Sequence, residues 1–87
     1  MKVLALPIQM VSWTETSGKI HPVRFKIANP DESTSVITVD KVLTIDREKL
    51  AGNNMLIYKC QSVIKGTERL YVLKYAFDTC KWILWKL

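Results

Sequence analysis

Apolar residues alternate with polar ones in six short runs of this sequence, and this period of two is what most restricts how the chain folds. In the second run Val23, Phe25 and Ile27 alternate with Arg24 and Lys26. A strand here therefore places three apolar side chains on one face and two cations on the other. The runs are rich in Val, Ile, Leu, Tyr and Trp, which favour strands. They predict strands over 4–13, 20–28, 36–46, 55–64, 69–77 and 80–87.

The connections between these runs are short and carry turn-favouring residues, which indicates antiparallel neighbours. One connection differs: segment 47–51, with Asp46 placed to cap its start and Gly52 its end, predicts a single helical turn. Asp40 and Lys41 break the apolar parity of the third run, as a β-bulge would. We therefore predict an all-β fold, a six-stranded antiparallel meander forming a small barrel or a strongly bent sheet, with one helical turn between strands three and four.

Length and composition are those of one small globular domain covering residues 1–87. With 48% hydrophobic and 24% charged residues in 87, the chain can bury one modest core. Its net charge of +5 favours acidic partners, but no run of five basic residues concentrates that charge. No stretch reaches the ~20 apolar residues of a membrane span, and the N-terminal segment lacks the features of a signal peptide. We expect a soluble, cytoplasmic protein.

The last three strands can be registered from their turns. A four-residue loop at 65–68 and a turn centred on 78–79 place Tyr75 beside Tyr58 on one side and Trp82 on the other. Both hairpins select the same face, and a slip of one residue in either would reverse it. The predicted core comprises Leu56, Tyr58, Cys60, Leu73, Tyr75, Phe77, Cys80, Trp82 and Leu84.

The same register predicts the state of the two cysteines and of one tyrosine. Cys60 and Cys80 fall roughly 16 Å apart on a flat sheet, whereas a disulfide needs Cα atoms within about 7 Å. We therefore expect two free, buried thiols. Tyr71, opposite Ser62 and Lys86, is expected at the rim of the core with its hydroxyl in water.

The other face of these three strands, here called the reverse face, is unusually apolar and cationic for a surface. In the predicted register Lys59 lies opposite Lys74, a like-charge pair. Either another part of the chain covers this face as a second core, or it is an exposed patch for a partner or a second copy. On the second interpretation we expect a non-catalytic binding or assembly module that acts through protein–protein contact or self-association. The expected binding residues are Lys59, Val72, Lys74, Lys81, Ile83 and Trp85.

Nucleic acid is the alternative partner. The three lysines of the reverse face would bind phosphates, and Trp85 would stack on a base. Small barrels are frequently used to bind nucleic acid. This is an analogy of fold alone, and no nucleic-acid-binding motif is present.

The sequence contains no recognisable catalytic site. His21 has no acidic residue within three positions to orient it, and one histidine with two separated cysteines does not predict a zinc site. Gly18, Gly52 and Gly66 are isolated, so no phosphate-binding loop is present. We expect no catalytic residue, no metal and no cofactor, and no membrane among the partners.

Overall fold

The computed structural model describes residues 1–87 and consists of seven antiparallel β-strands, which confirms the all-β prediction. The chain contains no helix, and so none that could cross a membrane. Hydrogen bonding joins the strands into one curled sheet, a half-barrel, in the order β3-β2-β1-β7-β6-β5-β4. The strands are β1 (Val3–Thr14), β2 (Ile20–Ala28), β3 (Thr34–Thr38), β4 (Lys41–Leu50), β5 (Asn53–Ile64), β6 (Thr67–Ala76) and β7 (Lys81–Lys86).

Seven strands replace the predicted six because the third run bends at a corner. The chain leaves β3 at Thr38 and begins β4 at Lys41, so residues 39–40 form the corner. β3 pairs with β2, whereas β4 pairs with β5 at the other end of the sheet. Two strands that are consecutive in the chain are therefore the two edges of the sheet, which curls to bring them together.

The predicted helical turn at 47–51 is wrong. β4 runs on to Leu50, which pairs with Asn53 of β5. Ala51 and Gly52 form the two-residue turn between them, with φ angles of 49° and 84°. Positive φ at both central residues is the geometry that matches strand twist in a tight hairpin. Pairing with β5 thus outweighs the helical propensity of this charged segment.

The hairpin between β5 and β6 is tighter than predicted. Lys65 and Gly66 form a two-residue turn with φ angles of 50° and 77°, in place of a four-residue loop. Cys60 therefore lies opposite Tyr71 and not Leu73. The shift is two residues, so every side chain stays on its predicted face.

The register of β6 with β7 is confirmed near the turn and changes farther along. Tyr75 pairs with Trp82, and Leu73 with the next core leucine of β7, as predicted. A bulge then follows, and Val72 pairs with Lys86. The predicted pairing of Tyr71 with that lysine is wrong for this reason.

The core lies on the concave face, and two aromatic pairs span it. The ring centroids of Tyr58 and Trp82 are 5.2 Å apart, and those of Phe25 and Tyr71 are 5.7 Å apart. Such pairs contribute roughly 0.5–1.5 kcal/mol each beyond burial. Phe77 was predicted in the core but lies in the exposed turn after β6. The central buried cluster is Phe25, Ile37, Tyr58, Cys60, Tyr71, Leu73, Trp82 and Leu84.

Tyr71 is fully buried, which corrects its predicted place at the rim, and its hydroxyl meets Ser62 Oγ at 2.6 Å. Ser62 Oγ donates to the carbonyl of Thr38 at 2.7 Å and accepts from the backbone N–H of Asp40 at 3.1 Å. A serine hydroxyl has one proton and two lone pairs, so the Tyr71 hydroxyl must be the donor. The Asp40 carboxylate in turn accepts from the N–H of Val63 at 2.8 Å. This network, buried at Ser62 and Tyr71 and exposed at Asp40, fastens the corner between β3 and β4 to β5 and β6.

Both cysteines are free, as predicted, but only one is buried. Burial raises the pKa of the Cys60 thiol to about 12, because the thiolate would be desolvated. Cys80 is exposed because it ends the turn between β6 and β7, with a φ of 56°. The prediction that Cys80 is buried is therefore wrong.

Candidate binding surfaces

The six residues predicted to form the binding surface on the reverse face differ in their accessibility. Val72 is 6% exposed and Lys74 is 9% exposed, so the middle of the predicted patch is shielded by the chain itself. Less apolar surface is thus accessible here than the sequence suggests. Of the remaining four, Ile83 and Trp85 are half-buried, and Lys59 and Lys81 are exposed.

The predicted like-charge pair on this face does not form. Because the β5–β6 register is shifted by two residues, Lys59 lies opposite Val72. Lys74 lies between Ile57 of β5 and Ile83 of β7. The expected repulsion between two directly opposed lysines is therefore absent.

Lys74 is engaged by its own neighbours. Its Nζ atom lies 3.4 Å from a carboxylate oxygen of Glu48 and 3.8 Å from the ring centroid of Trp85. A buried ammonium needs such partners, because an unpaired charge is costly away from water. The contact neutralises the lysine, which is therefore not free for a phosphate, and it occupies one face of the indole ring, which is therefore not free for a base.

The outer edge of β4 is the longest unpaired strand edge in the molecule. β4 has ten residues and a single hydrogen-bonded neighbour, β5, while the other edge strand, β3, has five residues. Eight of the ten residues of β4 are exposed, including Leu43 at 43%, Ile45 at 38% and Leu50 at 62%. An edge of this kind presents unpaired N–H and C=O groups along with apolar side chains.

Two clefts flank the corner between β3 and β4, one beside each free edge. The first, of about 640 Å³, lies between β3 and the end of the β5–β6 hairpin. The second, of about 370 Å³, lies between the start of β2 and β4. Tyr58 borders the second cleft and donates its hydroxyl to the carbonyl of Ile20 at 2.7 Å. Burial raises the pKa of the Tyr58 hydroxyl to about 12, because the phenolate would be desolvated.

An aromatic stack at the end of the β1–β2 hairpin was not predicted from sequence. Trp13 pairs with His21 across the hairpin, and their rings are stacked with centroids 4.3 Å apart. The Glu15 carboxylate contacts Nε2 of His21. This acidic partner lies six positions away in the chain, and only the register of the hairpin brings it to His21. No group of three or more His, Cys, Asp or Glu side chains is arranged to hold a metal ion.

Fold and surfaces together define this chain as a small antiparallel β domain with two free strand edges. No protein-family model, curated protein or solved structure matches it.

Proposed function

We propose that this protein is a non-catalytic assembly module that acts through protein–protein contact, with a second copy of the chain as its partner. The observation that carries the proposal is the free edge of β4, which is ten residues long and exposed along most of its length. Pairing such an edge satisfies its backbone groups and covers its apolar side chains in one step.

The composition of this edge favours specific pairing over simple repulsion. Proteins often block an exposed edge with proline or with charged side chains, especially lysine. β4 contains no proline, and the consecutive residues Asp46, Arg47, Glu48 and Lys49 alternate in sign. The charges of these four residues sum to zero, so they do not impose the net repulsion between copies that charges of one sign would. Exposed residues of the adjoining reverse face, such as Lys59, would border the contact.

Sedimentation equilibrium at several protein concentrations tests this proposal. We expect self-association with a Kd below about 1 mM, equivalent to more than 4.1 kcal/mol of association free energy. Leu43→Lys places a charge on the β4 edge and should abolish the association. The matched control is Leu70→Lys, which adds the same charge at a residue that is 53% exposed on the reverse face of an interior strand.

The outcomes separate the edge from the reverse face. A strict monomer at about 1 mM would contradict self-association as the function. Association that survives Leu43→Lys but is lost in Leu70→Lys would place the contact on the reverse face and overturn the assignment to β4.

Nucleic acid is the second candidate partner, supported by the net charge of +5 and by the exposed Lys59 and Lys81. The engagement of Lys74 with Glu48 and Trp85 weakens it. The test is fluorescence polarisation with single- and double-stranded probes. Binding must fall steeply with added salt and be lost when both exposed lysines are changed to Glu.

A further inference from the structure

The cleft beside β3 combines a strand edge that has no neighbouring strand, an apolar floor and a cationic rim. Its volume of about 640 Å³ lies within the usual range for ligand sites, roughly 300–1,000 Å³. One wall is β3, whose other side is paired with β2. The apolar floor includes Ile27, Ile37 and Ile64, all of which belong to the core or pack against it.

The rim carries two cations that form no ion pair. Arg69 is exposed and lies opposite Ser62, so it is on the concave face of the sheet at the end of the β5–β6 hairpin. Lys65 is in the turn of the same hairpin. The carboxylate that lines the cleft, that of Asp40, already accepts from the N–H of Val63. Asp31 interacts only weakly with Lys65, because the pKa of the Asp31 carboxyl is lowered mainly by hydrogen bonds from Ser33 and least by Lys65.

The free edge decides which class of ligand fits. A hydrocarbon chain or other apolar molecule would cover the unpaired N–H and C=O groups of β3 without replacing the water that satisfies them, and each such group costs about 1–3 kcal/mol. An extended peptide supplies matching backbone groups. The two free cations on the rim then favour acidic side chains over basic ones.

We infer that this cleft binds an extended acidic segment of a partner chain, which adds to β3 as an extra strand and places carboxylates at Arg69 and Lys65. The inference rests on the proposed protein–protein function and names a second site and a ligand class for it. Alternate side chains of the added strand would face the apolar floor.

A pair of short peptides tests the inference on the intact protein. The probe is an acetylated and amidated hexapeptide of alternating glutamate and valine, and its control has lysine in place of glutamate. Backbone amide chemical shifts measured during titration should change at Thr34–Thr38 for the glutamate peptide. We expect the lysine peptide to bind at least about tenfold more weakly, the loss of one hydrogen bond to a charged group. N-methylation of the glutamate peptide should remove binding, because it blocks strand pairing.

Arg69→Glu should weaken binding of the glutamate peptide by at least about tenfold. The matched control is Arg24→Glu. Arg24 is an exposed residue of β2 next to the core residue Phe25, so its side chain lies on the face of the sheet that is away from the core and the cleft floor. Arg24→Glu should leave binding unchanged. The inference is overturned if β3 amides do not shift, if both peptides bind equally, or if the two arginine variants behave alike. Self-association is measured on the same samples to distinguish this inference from the proposed function. Self-association without peptide-induced shifts of the β3 amides would overturn the peptide site in the cleft and leave assembly through β4 standing.

Discussion

Removing the Ser62 hydroxyl tests the claim that one hydrogen-bond network, centred on the buried Ser62, fastens the corner between β3 and β4. Ser62→Ala leaves three groups without a partner: the carbonyl of Thr38, the N–H of Asp40 and the hydroxyl of Tyr71. At a net value of about 1 kcal/mol per hydrogen bond, the expected loss is about 3 kcal/mol. Tyr71→Phe removes one of these bonds and should cost about 1 kcal/mol.

These losses are large compared with the stability of so small a domain, about 4–13 kcal/mol at 0.05–0.15 kcal/mol per residue. Urea unfolding at neutral pH measures them, and at a slope of about 1–3 kcal/mol/M the Ser62→Ala midpoint should fall by roughly 1–3 M. In the Tyr71→Phe background the serine has only two bonds left to lose, so the double-mutant cycle should show about 1 kcal/mol of coupling. Ser12→Ala, an exposed serine on β1, is the matched control and should change little.

The assignment of three hydrogen bonds to Ser62 is refuted if Ser62→Ala lowers the free energy of unfolding no more than Tyr71→Phe does. It is also refuted if the two losses are additive, because the shared hydrogen bond would then contribute nothing.

Further predictions concern thiols, alkaline pH and the buried lysine. A thiol reagent at pH 8 should modify Cys80 in the folded protein and Cys60 only on unfolding, and mass spectrometry of the labelled peptides checks this. Burial raises the pKa values of Cys60 and Tyr71 to about 12 from ordinary values of 9.0 and 10.0, so the unfolded state loses protons first. Stability measured by urea unfolding should therefore fall as the pH rises from about 9 towards 12, and a flat profile would contradict burial of these groups. Glu48→Gln should destabilise more than Lys74→Met, since the first change leaves a buried ammonium unpaired and the second removes it. If both variants lose the same free energy of unfolding in urea, the expectation is contradicted, and loss of the ion pair accounts for both effects.

The alternation of residues was sufficient to predict the strands and the face that forms the core of the last three. Tyr75 beside Trp82 followed from the turn after β6, because the pleat fixes which side chains share a face. The pairing registers of the strands were predicted less accurately. The Lys65-Gly66 turn shifted Cys60 by two residues, a change that leaves the face intact and is therefore invisible to the hydrophobic pattern.

Features that depend on contacts distant in sequence could not be predicted in this way. The bend at residues 39–40 appeared in the sequence only as a break in parity at Asp40, although it determines both edges and both clefts. The burial of Tyr71 depends on Ser62, which in turn meets the backbone of the corner. Lys74 looked like a surface cation because its partner Glu48 belongs to a segment predicted to be helical.

Amide hydrogen exchange along β4, measured at low and high protein concentration, tests the central functional claim most directly. If a second copy pairs with this edge, the outward-facing amides of Lys41–Leu50 should gain protection as concentration rises, while those bonded to β5 change little. Exchange along β4 that is independent of concentration would contradict assembly through this edge.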